Sequence, residues 1–117
     1  MPQPNADTVR AFYASYLAQD RPAAERLVAQ EFVFTSPQDD HIDRAAFFDR
    51  CFPTADRFKE HELLTVLPTD GDDVFVLYEY ELEDGQRYRN AEVITVRDGR
   101  VTESQVFFGG RQKEVSG

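Results

Sequence analysis

The sequence predicts an α+β domain in which three N-terminal helices pack on a curved, mainly antiparallel sheet. Two observations carry this prediction. Up to about residue 57, apolar residues recur mostly at the three-four spacing of a helix face. Beyond that point three turn signals, TDGDD at 69–73, EDG at 83–85 and RDG at 97–99, separate four extended runs at about 58–68, 73–82, 86–96 and 100–108. With 117 residues the chain suits one domain, taken here as 1–117.

Asn5 or Asp7 is positioned to cap a first helix whose inward face holds Val9, Phe12, Tyr13, Tyr16 and Leu17. Pro22 suits a helix's first turn, so a short second helix is expected over 22–28. Phe32–Thr35 is β-prone and stops at Ser36-Pro37, which predicts a short edge strand. After the loop SPQDDHID, Asp43 caps a third helix from about Arg44 to Phe52, with Pro53 just past its end and Phe47, Phe48, Cys51 and Phe52 as its apolar stripe. Only the ends, MPQP and RQKEVSG, read as loose.

Composition narrows the function classes. With 41% hydrophobic and 13% aromatic residues the chain can build a core, which excludes wholesale disorder. Its 13 Lys+Arg against 22 Asp+Glu give a net charge of −9, which argues against nucleic acid and against an anionic membrane surface as partners. Cys51 is the single cysteine, so neither an intramolecular disulfide nor a Cys-rich zinc site is expected. The N-terminal stretch lacks a signal peptide's layout, and no apolar run approaches the ~18 residues of a membrane span. A cytoplasmic location is expected.

Strand register can be derived from loop length, because a one-residue slip moves every side chain to the other face. A three-residue loop at each x-D-G turn pairs Leu82 with Gln86 and Val96 with Arg100. The first hairpin then sets Glu81 opposite Arg87, Glu79 opposite Arg89, Leu77 opposite Ala91 and Phe75 opposite Val93 on one face. On the other face Tyr80 meets Tyr88, Tyr78 meets Asn90, Val76 meets Glu92 and Val74 meets Ile94. Carried through the second hairpin, the same reasoning sets Ile94 beside Thr102, Glu92 beside Ser104 and Asn90 beside Val106, with Phe108 on that face. The inner face thus holds a polar cluster of Tyr78, Tyr80, Asn90, Glu92 and Ser104 on an apolar wall. The outer face carries Phe75, Leu77, Val93, Val101 and Phe107 among charges, which points to a homodimer interface.

The order helix, helix, short strand, helix and meander, with an F-T-S-P loop and the stretches FTSPQDDHIDRAAFFDRCFP and YRNAEVITVRDGRVTESQVFFGG, resembles the nuclear-transport-factor-2-like superfamily. Within it the likeness is to SnoaL-like and ketosteroid-isomerase-related proteins, over about residues 6–110. The resemblance implies a cone in which the curved sheet wraps a helix-covered apolar cavity. It does not choose among isomerases, cyclases, epoxide hydrolases, dehydratases and non-catalytic binding domains. Ketosteroid isomerase uses a carboxylate base, a helix tyrosine and a protonated aspartic acid. The resemblance sets Ser36 at the base's place, Phe12 at the tyrosine's and Glu92 near the third. A serine without an activator does not abstract a carbon-bound proton, so that catalytic set is not retained. The acid of the superfamily's epoxide hydrolases falls at Val106.

Glu92 is the first candidate for catalysis or ligand binding, since a carboxyl on an apolar wall has its pKa raised and can serve as acid, base or donor to a carbonyl. The competing reading is a structural hydrogen bond to Ser104 or a helix tyrosine. Asp40, in Asp39-Asp40-His41, could act with the imidazole as an acid-base pair, though Asp is also common in turns. Tyr16, Ser36, Tyr78, Tyr80, Asn90 and Ser104 are the candidate ligand contacts, set against plain core packing for the tyrosines. Cys51 reads as a small buried hydrophobe and His61, in KEHE, as solvated. His41 and His61 match no metal spacing, so neither a metal nor a cofactor is expected. The expected function is the binding of a small apolar molecule with one polar group, with acid-base catalysis by Glu92 or Asp40 as its enzymatic form. The alternative is a non-catalytic dimerisation or protein-interaction module.

Overall fold

The computed structural model describes residues 4–112. The loose ends expected at MPQP and RQKEVSG lie mostly outside the described residues. Helix α1 is Pro4–Leu17. Because it already begins at Pro4, Asn5 and Asp7 lie within its first turn rather than capping it from outside. Val9, Phe12 and Tyr13 are buried as expected, whereas Leu17, at the helix end, is exposed. Helix α2, Arg21–Leu27, is capped by Asp20, whose carboxylate accepts from the Ala23 N–H at 3.2 Å.

Val28, expected to end that helix, is extended and opens β1, Val28–Thr35. The turn at Ser36-Pro37 then folds a two-residue strand, β2 (Ile42–Asp43), back against Val33 and Phe34. Asp43 caps helix α3, Arg44–Arg50, by accepting from the Ala46 N–H at 2.9 Å. The helix stops earlier than expected because Phe52–Arg57, with Pro53 in its first turn, forms a 3₁₀ helix instead.

Four strands follow: β3 (Phe58–Pro68), β4 (Asp73–Leu82), β5 (Arg87–Arg97) and β6 (Arg100–Arg111). The six strands form one open, curved sheet in the order β2-β1-β6-β5-β4-β3. It is antiparallel throughout except where β1 runs parallel to β6. That pairing corrects the expectation for β1, which is an interior strand; β2 takes the edge.

The β4–β5 hairpin has the expected three-residue loop. The Leu82 N–H donates to Gln86 C=O and the Gly85 N–H to Leu82 C=O, both at 2.9 Å, with Gly85 left-handed at φ 84°. Every residue pair expected along this hairpin is present. On the outer face the Arg87 guanidinium donates to Glu79 and Glu81 at 2.8 Å and to Glu60 at 3.2 Å, while Arg89 donates to Glu79 at 3.1 Å.

The β5–β6 hairpin departs from expectation. Its loop has two residues, Asp98 and Gly99, both at positive φ (52° and 74°), so Arg97 pairs with Arg100. A bulge at Thr102 then shifts the register once more, giving Ile94 opposite Ser104, Glu92 opposite Val106 and Asn90 opposite Phe108. Two one-residue shifts leave each side chain beyond the bulge on the expected face, but Val101, before it, turns inward. Instead of lying on the outer face, Val101 is wholly buried opposite Val96.

The core lies between the helices and the inner sheet face, built on Val9, Phe32, Phe47, Phe48, Phe52, Val74, Val76, Ile94 and Val96. On the outer face Phe75 and Phe107 are 48% and 54% exposed. Among the described residues no helix is long and apolar enough to cross a membrane.

Candidate functional site

Where the helices stand off from the sheet, they leave a pocket of about 540 Å³. All five tyrosines of the chain, Tyr13, Tyr16, Tyr78, Tyr80 and Tyr88, line it. Tyr13 and Tyr16 come from α1, and the other three from the inward positions of β4 and β5. Tyr80 stacks on Tyr88 at 5.5 Å between ring centroids, and Phe58 approaches Tyr80 at 4.9 Å.

Glu92 lies on the inner face, between Val76 of β4 and Val106 of β6. Its carboxyl is buried and both oxygens are occupied: the Tyr13 hydroxyl donates to Oε1 and the Ser104 hydroxyl to Oε2. Both structural partners considered from sequence are therefore present at once. Burial raises the carboxyl pKa, and the two hydrogen bonds only partly oppose this. Burial and the Glu92 charge in turn push the Tyr13 hydroxyl well above the ordinary phenol value, so Tyr13 stays protonated.

Asn90 is buried beside this pair. Its amide donates to the Tyr78 hydroxyl at 3.2 Å, and its carbonyl accepts from the Gly109 N–H at 3.4 Å. Gly109 is the residue that allows this approach, since a Cβ there would sit 2.4 Å from the Arg89 carbonyl oxygen. On the helix side the Tyr16 hydroxyl and Thr54 share a hydrogen bond of 2.6 Å, and burial pushes Tyr16 up to about 12.

The remaining candidates divide. Ser36 lines the pocket, but its oxygen accepts from the N–H groups of Gln38 and Asp39 at 3.1 and 3.2 Å, closing the loop. Ser104 does not line the pocket and acts through Glu92. Asp40 is not brought to the site. Its side chain is 89% exposed, paired with His41, and it is Asp39 that turns to the pocket, 3.5 Å from Arg50. Cys51 lines the pocket half-buried, with its thiol pushed up to about 11 by burial, an unreactive state.

His61 corrects the sequence reading most sharply. A bulge between Phe58 and Glu60 sets His61 opposite Tyr80, and so inward rather than into solvent. Its ring stacks on Tyr78 at 5.1 Å, both ring nitrogens are buried without a partner among the described residues, and burial lowers its pKa to about 4. It is neutral at pH 7. Sequence reasoning also missed Tyr13 as a site residue, although its place on the apolar face of α1 beside Tyr16 was the available signal. It missed Arg57 and Thr54 too, because the 3₁₀ helix that carries them was not expected.

The raised Glu92 pKa ties stability to pH. A carboxyl that holds its proton more tightly folded than unfolded favours the fold fully below the ordinary carboxyl value of 4.5, and that benefit is lost as pH rises through the raised value. Glu92→Gln removes this dependence. Urea unfolding across pH 4 to 8 will show the variant gaining on the wild type as pH rises, whereas a constant difference would mean an unshifted carboxyl.

The SnoaL-like domain family matches residues 9–104 of the chain. No curated protein matches it. Among solved structures it is similar to a protein from Kribbella flavida, with 27% identity over 87% of this chain and 84% of that one and a TM-score of 0.76. A protein from a soil-derived mobile gene cassette is 24% identical over 91% and 89% of the two chains, with a TM-score of 0.76. A nuclear-transport-factor-2-like protein of unknown function from Mesorhizobium loti is 23% identical over 94% and 98%, with a TM-score of 0.78. The last two likenesses establish the shared fold, and the family match covers most of the chain. The chain belongs to the SnoaL-like domain family, within the nuclear-transport-factor-2-like superfamily.

Proposed function

We propose that the protein binds a small apolar molecule carrying a carbonyl or hydroxyl group, which it holds at the Tyr13–Glu92 pair. The observation that supports this is a buried carboxyl on the pocket wall whose two oxygens meet hydroxyls and no cation. Such a pair serves either polar group. When Glu92 carries its proton, the acid donates to one hydroxyl oxygen and the Tyr13 O–H is free to donate to a ligand carbonyl. When Glu92 is ionised, Tyr13 donates to it and accepts from a ligand hydroxyl. Tyr78 and Asn90 fix the ligand's direction, Tyr16 and Ser36 close in from the helix side, and the tyrosine rings cover its apolar body.

The catalytic form of this reading makes Glu92 the proton-transfer group in an isomerisation, dehydration or cyclisation. The raised carboxyl pKa supports it, because efficient proton transfer needs a group that titrates near the working pH. Unchanged turnover of cyclic ketones and alcohols by Glu92→Gln would remove that form and leave binding.

The matched probes 2-acetylnaphthalene and 2-ethylnaphthalene test the binding reading. In NMR titrations both shift amides of β4 and β5, and the ketone binds about fivefold tighter, the worth of one hydrogen bond. Tyr13→Phe abolishes that preference and leaves the hydrocarbon's affinity unchanged. Equal preference in both proteins, or shifts confined to the outer sheet face, would contradict it.

The outer face supports a second proposal, a homodimer in which two such faces meet. Phe75 and Phe107 are exposed there beside both cations and anions, Arg87 and Arg89 with Glu79 and Glu81, a pattern that complements itself about a twofold axis. Sedimentation equilibrium will give a dimer for the wild type and a folded monomer for Phe107→Glu. A wild-type monomer at tens of micromolar would exclude this interface.

A further inference from the structure

The charged side chains that line the pocket are Asp39, Arg50, Arg57 and Glu92. Three of them have partners. Asp39 takes Arg50 at 3.5 Å, and Glu92 takes Tyr13 and Ser104. Arg57, the last residue of the 3₁₀ helix, has no hydrogen-bond or ion-pair partner among the described residues, although its solvent-exposed side chain borders the pocket. Arg10, Arg26 and Arg100 are also exposed and without a partner among the described residues, but none of them lines the pocket. A free guanidinium therefore stands at the mouth of an aromatic pocket in a chain of net charge −9.

We propose that the ligand is an organic carboxylate, its carboxylate paired with Arg57 at the pocket mouth and its flat apolar body lying against Tyr80 and Tyr88. This rests on the reading of the pocket as a site for a small apolar molecule and adds the ligand's charge. A guanidinium fork matches a carboxylate with two parallel hydrogen bonds. The stacked pair of Tyr80 and Tyr88, with Phe58 tilted against Tyr80, offers an aromatic wall that suits a planar ring. The Arg57 charge reaches this wall, since it opposes the burial that raises both the Tyr16 and Tyr80 hydroxyls. The carboxylate end does not suit the Glu92 site, because burying it there would strip its hydration with no cation to compensate and, with Glu92 ionised, would set two anions side by side. The remote acidic charges matter little here, as salt screens them beyond roughly 8 Å at physiological ionic strength. The ligand is thereby oriented, with its anion outward at Arg57 and its carbonyl or hydroxyl inward at Tyr13 and Glu92.

The test is an NMR titration of wild type, Arg57→Gln and Arg57→Lys with 2-naphthoate and its neutral counterpart 2-naphthamide at pH 7.5. Arg57 is exposed, so its variants keep the fold. Wild type is expected to bind naphthoate about fivefold tighter than naphthamide, the range for a hydrogen-bonded charge pair open to solvent. Raising the salt to 0.5 M should shrink that preference. Arg57→Gln loses it with naphthamide affinity unchanged within about twofold, and Arg57→Lys keeps part of it. A naphthoate preference that survives in Arg57→Gln, or is absent from wild type, would overturn the assignment while leaving the pocket reading intact. If neither probe shifts the amides of β4 and β5, the pocket reading fails and this inference falls with it.

Discussion

Side chains alternate across a strand, so the Glu83-Asp84-Gly85 loop decides which residues of β4 and β5 face the helices. In the register it imposes, Tyr78, Tyr80, Tyr88, Asn90 and Glu92 face inward, and Glu79, Glu81, Arg87 and Arg89 face outward. A slip of one residue would exchange the two sets and bury four charges with no protein partners from the helices. The outer charges reinforce the same register, because the Arg87 guanidinium reaches Glu79, Glu81 and Glu60 only when those strands are so paired. Helix α1 then needs only to lay Tyr13 over Glu92 for the polar end of the pocket to be complete.

That end is built from groups that stay neutral or hold a proton. His61 is kept uncharged by burial, Tyr13 and Tyr78 are held above the ordinary phenol range, and Glu92 is raised toward its acid form. The positive charges of the pocket instead stand toward solvent, at Arg50 and Arg57. A molecule entering this space meets a cation first, aromatic walls next and a buried acid with a phenol last. This gradient distinguishes the pocket from an ordinary core gap, which would be apolar throughout. The unpartnered nitrogens of His61 belong to the same pattern, as a buried polar group without a partner costs about 1–3 kcal/mol and is uncommon in plain core packing.

The β4–β5 register was legible in the sequence because it follows from loop length and alternation, and Ser104 and a helix tyrosine could be named beside Glu92 because alternation alone, not the β5–β6 register, sets which side chains face inward. The cap at Asp43 obeys a rule of the same kind. What escaped were residues placed by irregular backbone. The bulge near Lys59 reverses the alternation that would have sent His61 to solvent, and the Thr102 bulge with its two-residue turn brings Val101 into the core. The parallel pairing of β1 with β6 joins segments some 70 residues apart by no local signal. Arg57 and Thr54 came to the pocket through a 3₁₀ turn that resembles a loop in sequence. Asp39 and Asp40 are adjacent, and only the loop's backbone geometry decides which of them turns inward.

The polar end of the pocket depends on Glu92 being a buried acid within a hydroxyl clasp rather than a solvated carboxylate. Carbon-13 NMR of its side-chain carboxyl, followed from pH 3 to 9 in the wild type and in Tyr13→Phe, measures this directly. The expected midpoint lies clearly above the ordinary carboxyl value of 4.5. A further rise is expected in Tyr13→Phe, where one hydrogen bond that favours the ionised form is gone. A midpoint at or below the ordinary value, unmoved by the loss of Tyr13, would contradict it.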